Sequence, residues 1–166
     1  MKKKSNFILA VIFATFSGII FSCSPSARTT TATPEEITNS VDSSKWVFTP
    51  TNVFPQQGRS RQINGSYSVT YNSGKIEVYL PYFGRAYSGV GYGSNDNPLD
   101  FKTIDFSEEK GQKKDDQWAI VIKPNDYKEV QSMNFTLFSN GNANLDITLT
   151  NRSGIRFTGR VEPLNK

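Results

Sequence analysis

Residues 80–93, LPYFGRAYSGVGYG, hold most of the side chains in this chain that suggest a dedicated chemistry. Tyr82, Phe83, Tyr87 and Tyr92 supply four rings, Arg85 a guanidinium, and Gly89, Gly91 and Gly93 alternate near the end. Rings offer stacking faces, and an arginine offers a paired grip on a carboxylate or phosphate. If the stretch is extended, the three alternating glycines share one face with Tyr87 at its head. Ala86, Ser88, Val90 and Tyr92 fall on the other. A face without side chains admits a ring, another backbone or a ligand at close range. Two readings follow. In one, Tyr82, Phe83, Tyr87 and Tyr92 line a groove, and Arg85 meets a small ligand or a protein partner. In the other, the glycines relieve crowding where a curved sheet bends, the tyrosines cover them, and Arg85 pairs with an internal acid such as Asp105. Internal packing is the weightier of the two.

Other chemistries have thinner support. Glu77, Asp105 and Asp146 lie on predicted strands, but no spacing brings two of them to the separation that glycoside hydrolysis requires. Glu108, Glu109, Asp115 and Asp116 belong to a charged run, SEEKGQKKDD, that reads as a solvated hairpin tip. Residues 93–100, GSNDNPLD, lack the alternating ligands and terminal Glu of a calcium loop. Asn140, Asn142, Asn144 and Asp146 do alternate, yet Leu145 stands where that loop needs glycine, so a turn and a polar strand face explain them better. Histidine is absent and Cys23 is the only cysteine. The Ser-His-Asp and Cys-His arrangements, the HExxH zinc site and imidazole base catalysis are therefore excluded. We expect no catalytic residues, no metal site and no cofactor.

Cys23 has a role of its own. Lys2, Lys3 and Lys4 precede residues 7–21, an apolar run broken by Thr15, Ser17 and Gly18 and shorter than the roughly 18 residues of a permanent membrane helix. Ile20-Phe21-Ser22-Cys23 then resembles the lipobox of bacterial lipoproteins, whose cysteine is acylated after cleavage, although Phe21 is bulkier than usual there. Residues 1–22 are thus expected to be a lipoprotein signal peptide and Cys23 the lipidated residue. Three of the 19 basic residues leave with that segment, and the remaining 16 face 15 acids. A net charge of +1 supplies no basic face for phosphate, so nucleic acid is not an expected partner.

The elements that must position these residues are mostly strands. Residues 23–34 combine the lipidated cysteine with a Ser/Thr/Pro-rich tether reaching roughly 35 Å at most. Pro34, Glu35 and Glu36 suit a helix start, and a short helix is expected to about Ser43. Beyond Lys45 the period is two. Trp46 and Phe48 alternate with polar neighbours, as do Tyr67, Val69 and Tyr71, then Ile76, Val78 and Leu80 after the turn Asn72-Ser73-Gly74. Trp118, Ile120 and Ile122 alternate with apolar residues, which suggests a central strand. Phe135 and Leu137 lead into the turn Asn140-Gly141, followed by Leu145, Ile147 and Leu149 and, after Asn151-Gly154, by Ile155, Phe157 and Val161. Pro81 should end the strand that Leu80 closes. Residues 35–166 are therefore expected to form one all-β domain of about eight or nine antiparallel strands, a sandwich or a partly closed barrel, with a short N-terminal helix. Its outward faces are too polar for a lipid-facing barrel.

Several stretches together, LPYFGRAY, FKTIDF, the strand around Trp118, NGNANLDITLTNRSGIRFTGRV and the upstream KWVFTPTNVFPQQGRSRQING, resemble a Bacteroidetes lipoprotein family known as domain of unknown function 4251. The similarity spans nearly all of residues 34–161, and its most specific part is 80–87. The resemblance implies an exported, lipid-anchored envelope protein and carries no catalytic residues with it. Surface-exported lipoproteins of that group are similar in placing acidic residues soon after the cysteine. CSPSARTT has none, and Ser24 differs from the Asp of an inner-membrane retention signal. The expected location is the outer membrane, facing the periplasm, with the membrane itself as a partner through the anchor. The preferred functional reading is a non-catalytic domain binding a small ligand or an envelope protein through residues 82–92. A purely structural envelope component is its close rival, and a carboxylate-dependent glycan hydrolase a distant one.

Overall fold

The computed structural model describes residues 32–87 and 97–164. Cys23, the preceding leader and Tyr92 with its neighbouring glycines lie outside the described residues.

The first element is a helix, α1, Pro34–Asp42. Thr33 caps it: the Glu36 amide donates to Thr33 Oγ1 at 3.3 Å, and the Thr33 amide donates to Glu36 Oε2 at 2.8 Å. This reciprocal pair satisfies two donors that a helix start leaves open, and Pro34 needs no partner at the first position. Ile37, Ser40 and Val41, spaced three and four apart, form the buried stripe.

Among the described residues ten strands follow: β1 Lys45–Pro55, β2 Arg61–Gln62, β3 Ser68–Asn72, β4 Lys75–Tyr79, β5 Asp100–Thr103, β6 Phe106–Lys114, β7 Gln117–Pro124, β8 Val130–Phe138, β9 Asn142–Leu149 and β10 Ile155–Pro163. All but β2 follow one antiparallel path, β5-β4-β3-β1-β10-β9-β8-β7-β6. Most neighbours on it are joined by hairpins. Ser73 and Gly74, with φ of 46° and 93°, make the β3–β4 turn between the paired Asn72 and Lys75. Among the described residues the join spanning most sequence pairs β1 with β10, the first and last strands, with Trp46 opposite Pro163 and Pro55 opposite Ile155.

This single sheet curls into a half-barrel. Trp46 of β1 meets Phe135 of β8 edge to face at 5.1 Å, and Tyr71 of β3 meets Phe106 of β6 at 5.9 Å, although these strands are far apart along the path. Tyr71 also donates to Glu108 Oε2 at 2.6 Å. Phe101 stacks on Tyr127 at 4.2 Å, and Thr103 Oγ1 donates to Asp126 Oδ1 at 2.6 Å, so β5 is tied to the β7–β8 turn. The core is the inside of the curl, filled by alternate residues such as Phe48, Val69, Ile120, Leu145 and Phe157. Ile37 and Val41 of α1 belong to that core, and Lys110 of β6 donates to the Val41 carbonyl oxygen at 2.6 Å.

Of the two architectures left open by the sequence, the partly closed barrel is the one formed. Two local expectations are corrected. The charged run after Phe106 is strand β6 down to Lys114, with only Asp115 and Asp116 in the turn. The strand around Trp118 is next to the sheet edge rather than central, because β6 is the last strand of the path.

Candidate functional site

Residues 80–87 follow β4 and lead to the turn between β9 and β10. Leu80 and Pro81 are buried, and Leu80 is fixed by its amide donating to the Leu99 carbonyl oxygen at 2.9 Å. Asn97 Nδ2 donates to the Leu80 oxygen at 2.6 Å. From there the chain reaches the β9–β10 turn and binds to it. The Ser153 amide donates to the Arg85 oxygen at 2.9 Å, and the Arg85 amide returns a bond to Ser153 Oγ at 2.9 Å. The Tyr87 amide donates to the Asn151 oxygen at 2.9 Å, and Ala86 bridges Arg152.

Tyr82 completes this clamp. Its hydroxyl donates to the Ser153 carbonyl oxygen at 2.8 Å and lies 3.2 Å from Ser153 Oγ. Ser153 is 1% exposed, so its polar atoms depend on these partners. Burial pushes the Tyr82 phenol above its ordinary value, opposed by the bond to Ser153 and the nearby Arg152 charge. Arg152 lies over the Tyr82 ring at 5.7 Å and faces Glu129 at 3.8 Å, an ion pair too long for a hydrogen bond. Gly84 is required by the same packing. A Cβ there would stand 2.1 Å from Tyr82 Oη and 2.6 Å from Ser153 Oγ.

The remaining rings turn outward. Phe83 is 40% exposed and carries the Arg61 guanidinium over its face at 4.9 Å. Tyr87 is 62% exposed. Arg85 is exposed and has no ion pair among the described residues; Asp105, its expected internal partner, accepts instead from Asn125 Nδ2 at 2.8 Å. The stretch therefore divides. Tyr82, Gly84 and the backbone of Arg85 and Tyr87 hold the fold, while the side chains of Phe83, Arg85 and Tyr87 face solvent.

Arg61, Arg152 and Ser153 escaped the sequence reading. Arg61 reaches Phe83 because β2 pairs with the second half of β1, opposite Val53, and no local pattern in RSRQ signals that. Ser153 was visible only as part of a turn.

The acids singled out from sequence are not brought together. Glu77 lies between Lys75 at 2.6 Å and Lys102 at 3.2 Å, and its hydrogen bond to Lys75, then that to Lys102, lowers its carboxyl below the ordinary value. Asp146 pairs with Arg156 at 2.5 Å. Asn140 Oδ1 accepts from the Asn142 amide at 3.0 Å, a local turn bond. Among the described residues no group of three or more acids, Cys or His is placed to hold a metal ion.

The family described as a domain of unknown function (DUF4251) matches residues 29–161. The chain belongs to this family. Among solved structures, it is similar to the crystal structure of a DUF4251 family protein from Bacteroides eggerthii DSM 20697, with a TM-score of 0.57 and 16% identity over 80% of this chain and 88% of that one. At that identity the likeness speaks for the DUF4251 fold alone. No curated protein matches.

Proposed function

We propose that this DUF4251 domain is a non-catalytic binding module that meets a ligand or protein partner through Phe83, Arg85 and Tyr87. The observation that carries the reading is the contrast within one short segment. Its backbone is clamped to Ser153 and Asn151, while Phe83 and Tyr87 remain exposed. A segment whose backbone is already fixed has less freedom to lose on binding, and aromatic and arginine side chains dominate contact energies when a partner covers them. Arg61 adds a second cation beside Phe83.

The wider setting is part of the proposal. Residues 1–22 act as a signal peptide, Cys23 is acylated, and the domain hangs on a tether from the outer membrane into the periplasm. Labelling with palmitate should be lost in Cys23→Ala, and protease added to intact cells should leave the domain uncleaved.

The purely structural reading draws support from Tyr82 and Gly84, whose contacts are internal. The two readings part at the exposed rings. After crosslinking in the cell and solubilisation of the envelope, wild type should carry an adduct that the Phe83→Ala/Tyr87→Ala double variant loses at equal abundance. An adduct pattern unchanged by the double variant would leave only the structural role. The hydrolase reading has least support, since Glu77, Asp105 and Asp146 each engage a separate partner.

A further inference from the structure

A second surface lies on the outer face of β8, β9, β10 and β1. Strand register sets Phe54 opposite Arg156, Arg156 opposite Asp146, and Asp146 opposite Asn134. The neighbouring row reads Asn52, Thr158, Asn144 and Thr136. Two adjoining open depressions, of about 450 and 440 Å³, share Phe54, Asp146 and Arg156 as lining.

Polar side chains are ordinary on the wet face of an antiparallel sheet, but an aromatic among them is not explained by the core. Phe54 is 41% exposed and presents its ring beside the Arg156–Asp146 pair. That pair, at 2.5 Å, fixes both charged groups against each other and leaves the local charge balanced. Thr136, Asn144 and Thr158 add hydroxyls and an amide that both donate and accept.

We propose that this face binds neutral saccharide chains. A sugar ring has one apolar C–H face, which suits a single exposed phenyl ring, and a rim of hydroxyls that are donors and acceptors at once. The planar carboxylate, amide and guanidinium groups match such hydroxyls in pairs. Other ligand classes fit less well. A nucleic acid would need unbalanced positive charge, an acyl chain an enclosed apolar cavity, and a protein partner more than one anchoring ring. The side chains concerned are distinct from Phe83, Arg85 and Tyr87, so the proposal stands apart from the proposed function.

Affinity electrophoresis through gels containing an α-glucan, a mixed-linkage β-glucan, a mannan or a galactan, with hyaluronate as an anionic control, tests it on the folded domain. At least one neutral polymer should retard the wild type. Phe54→Ala should weaken that retardation at least tenfold, Phe54→Trp should keep it, and Asp146→Asn should weaken it with the fold intact by circular dichroism. Lys113→Ala, on β6 and outside both surfaces, should leave it unchanged. Absence of retardation in every neutral gel, retardation by hyaluronate alone, or binding indifferent to Phe54→Ala would overturn the assignment.

Discussion

Tyr82 donates its phenolic hydrogen to the Ser153 carbonyl oxygen at 2.8 Å, joining segments 71 residues apart in the chain. The bond fastens the link after β4 to the turn between β9 and β10, and so ties one flank of the curled sheet to the other. Ser153→Ala removes the acceptor of the Arg85 amide, and should cost about 1–3 kcal/mol in urea unfolding. Tyr82→Phe should cost about 1 kcal/mol, because the ring still packs. Gly84→Ala, which forces a methyl against both partners, should destabilise by about 1–3 kcal/mol. If all three variants unfold with the wild type, the clamp contributes nothing.

Gly159 lies where the β10 backbone closely approaches that of β1. A Cβ there would lie 2.1 Å from the Thr49 oxygen and 2.8 Å from Pro50 Cα, both main-chain atoms beside a register shift in β1. Neither can swing away as a side-chain tip could. Gly159→Ala should therefore cost about 3 kcal/mol or more, at the upper end for an added methyl. Gly111→Ala on β6 meets nothing within 4 Å and should be neutral or stabilising by about 0.5 kcal/mol. Equal effects at the two sites would refute this account of the join.

Tyr71 predicts an alkaline limit. Burial, followed by the bond to Glu108 and that carboxylate's charge, pushes its phenol up to about 12. The folded value exceeds the unfolded one, about 10, so the neutral phenol is the form that folding favours. Its contribution is complete below about pH 10 and is lost as pH climbs from 10 towards 12. Wild-type stability should fall more steeply across that window than that of Tyr71→Phe. Parallel curves would show that Tyr71 titrates normally.

How much of this was legible follows from what each residue's neighbours are. Alternation at Trp46 and Phe48, Val69 and Tyr71, and Ile155 and Phe157 disclosed strands because each buries one face. Ser73-Gly74 and Asn140-Gly141 disclosed turns through their need for positive φ, 46° at Ser73 and 82° at Gly141. Strand β6 was hidden by its charges. Glu108, Lys110 and Gln112 pair with the buried Ile122, Ile120 and Trp118 and so face inward, yet on an edge strand they remain in water. Inward charges on an edge also discourage pairing with another chain, which periodicity cannot reveal. At the candidate site, Phe83 and Tyr87 were legible as rings. Their division of labour with Tyr82 was not, because it depends on Ser153, far away in sequence.

The proposal that Phe83 and Tyr87 form the contact surface is tested most directly by photocrosslinking in living cells. A photoreactive amino acid placed singly at positions 83 and 87 should give discrete adducts that the same group at Lys75 or Lys113 does not. No adduct from either aromatic position, or identical products from all four, would contradict it.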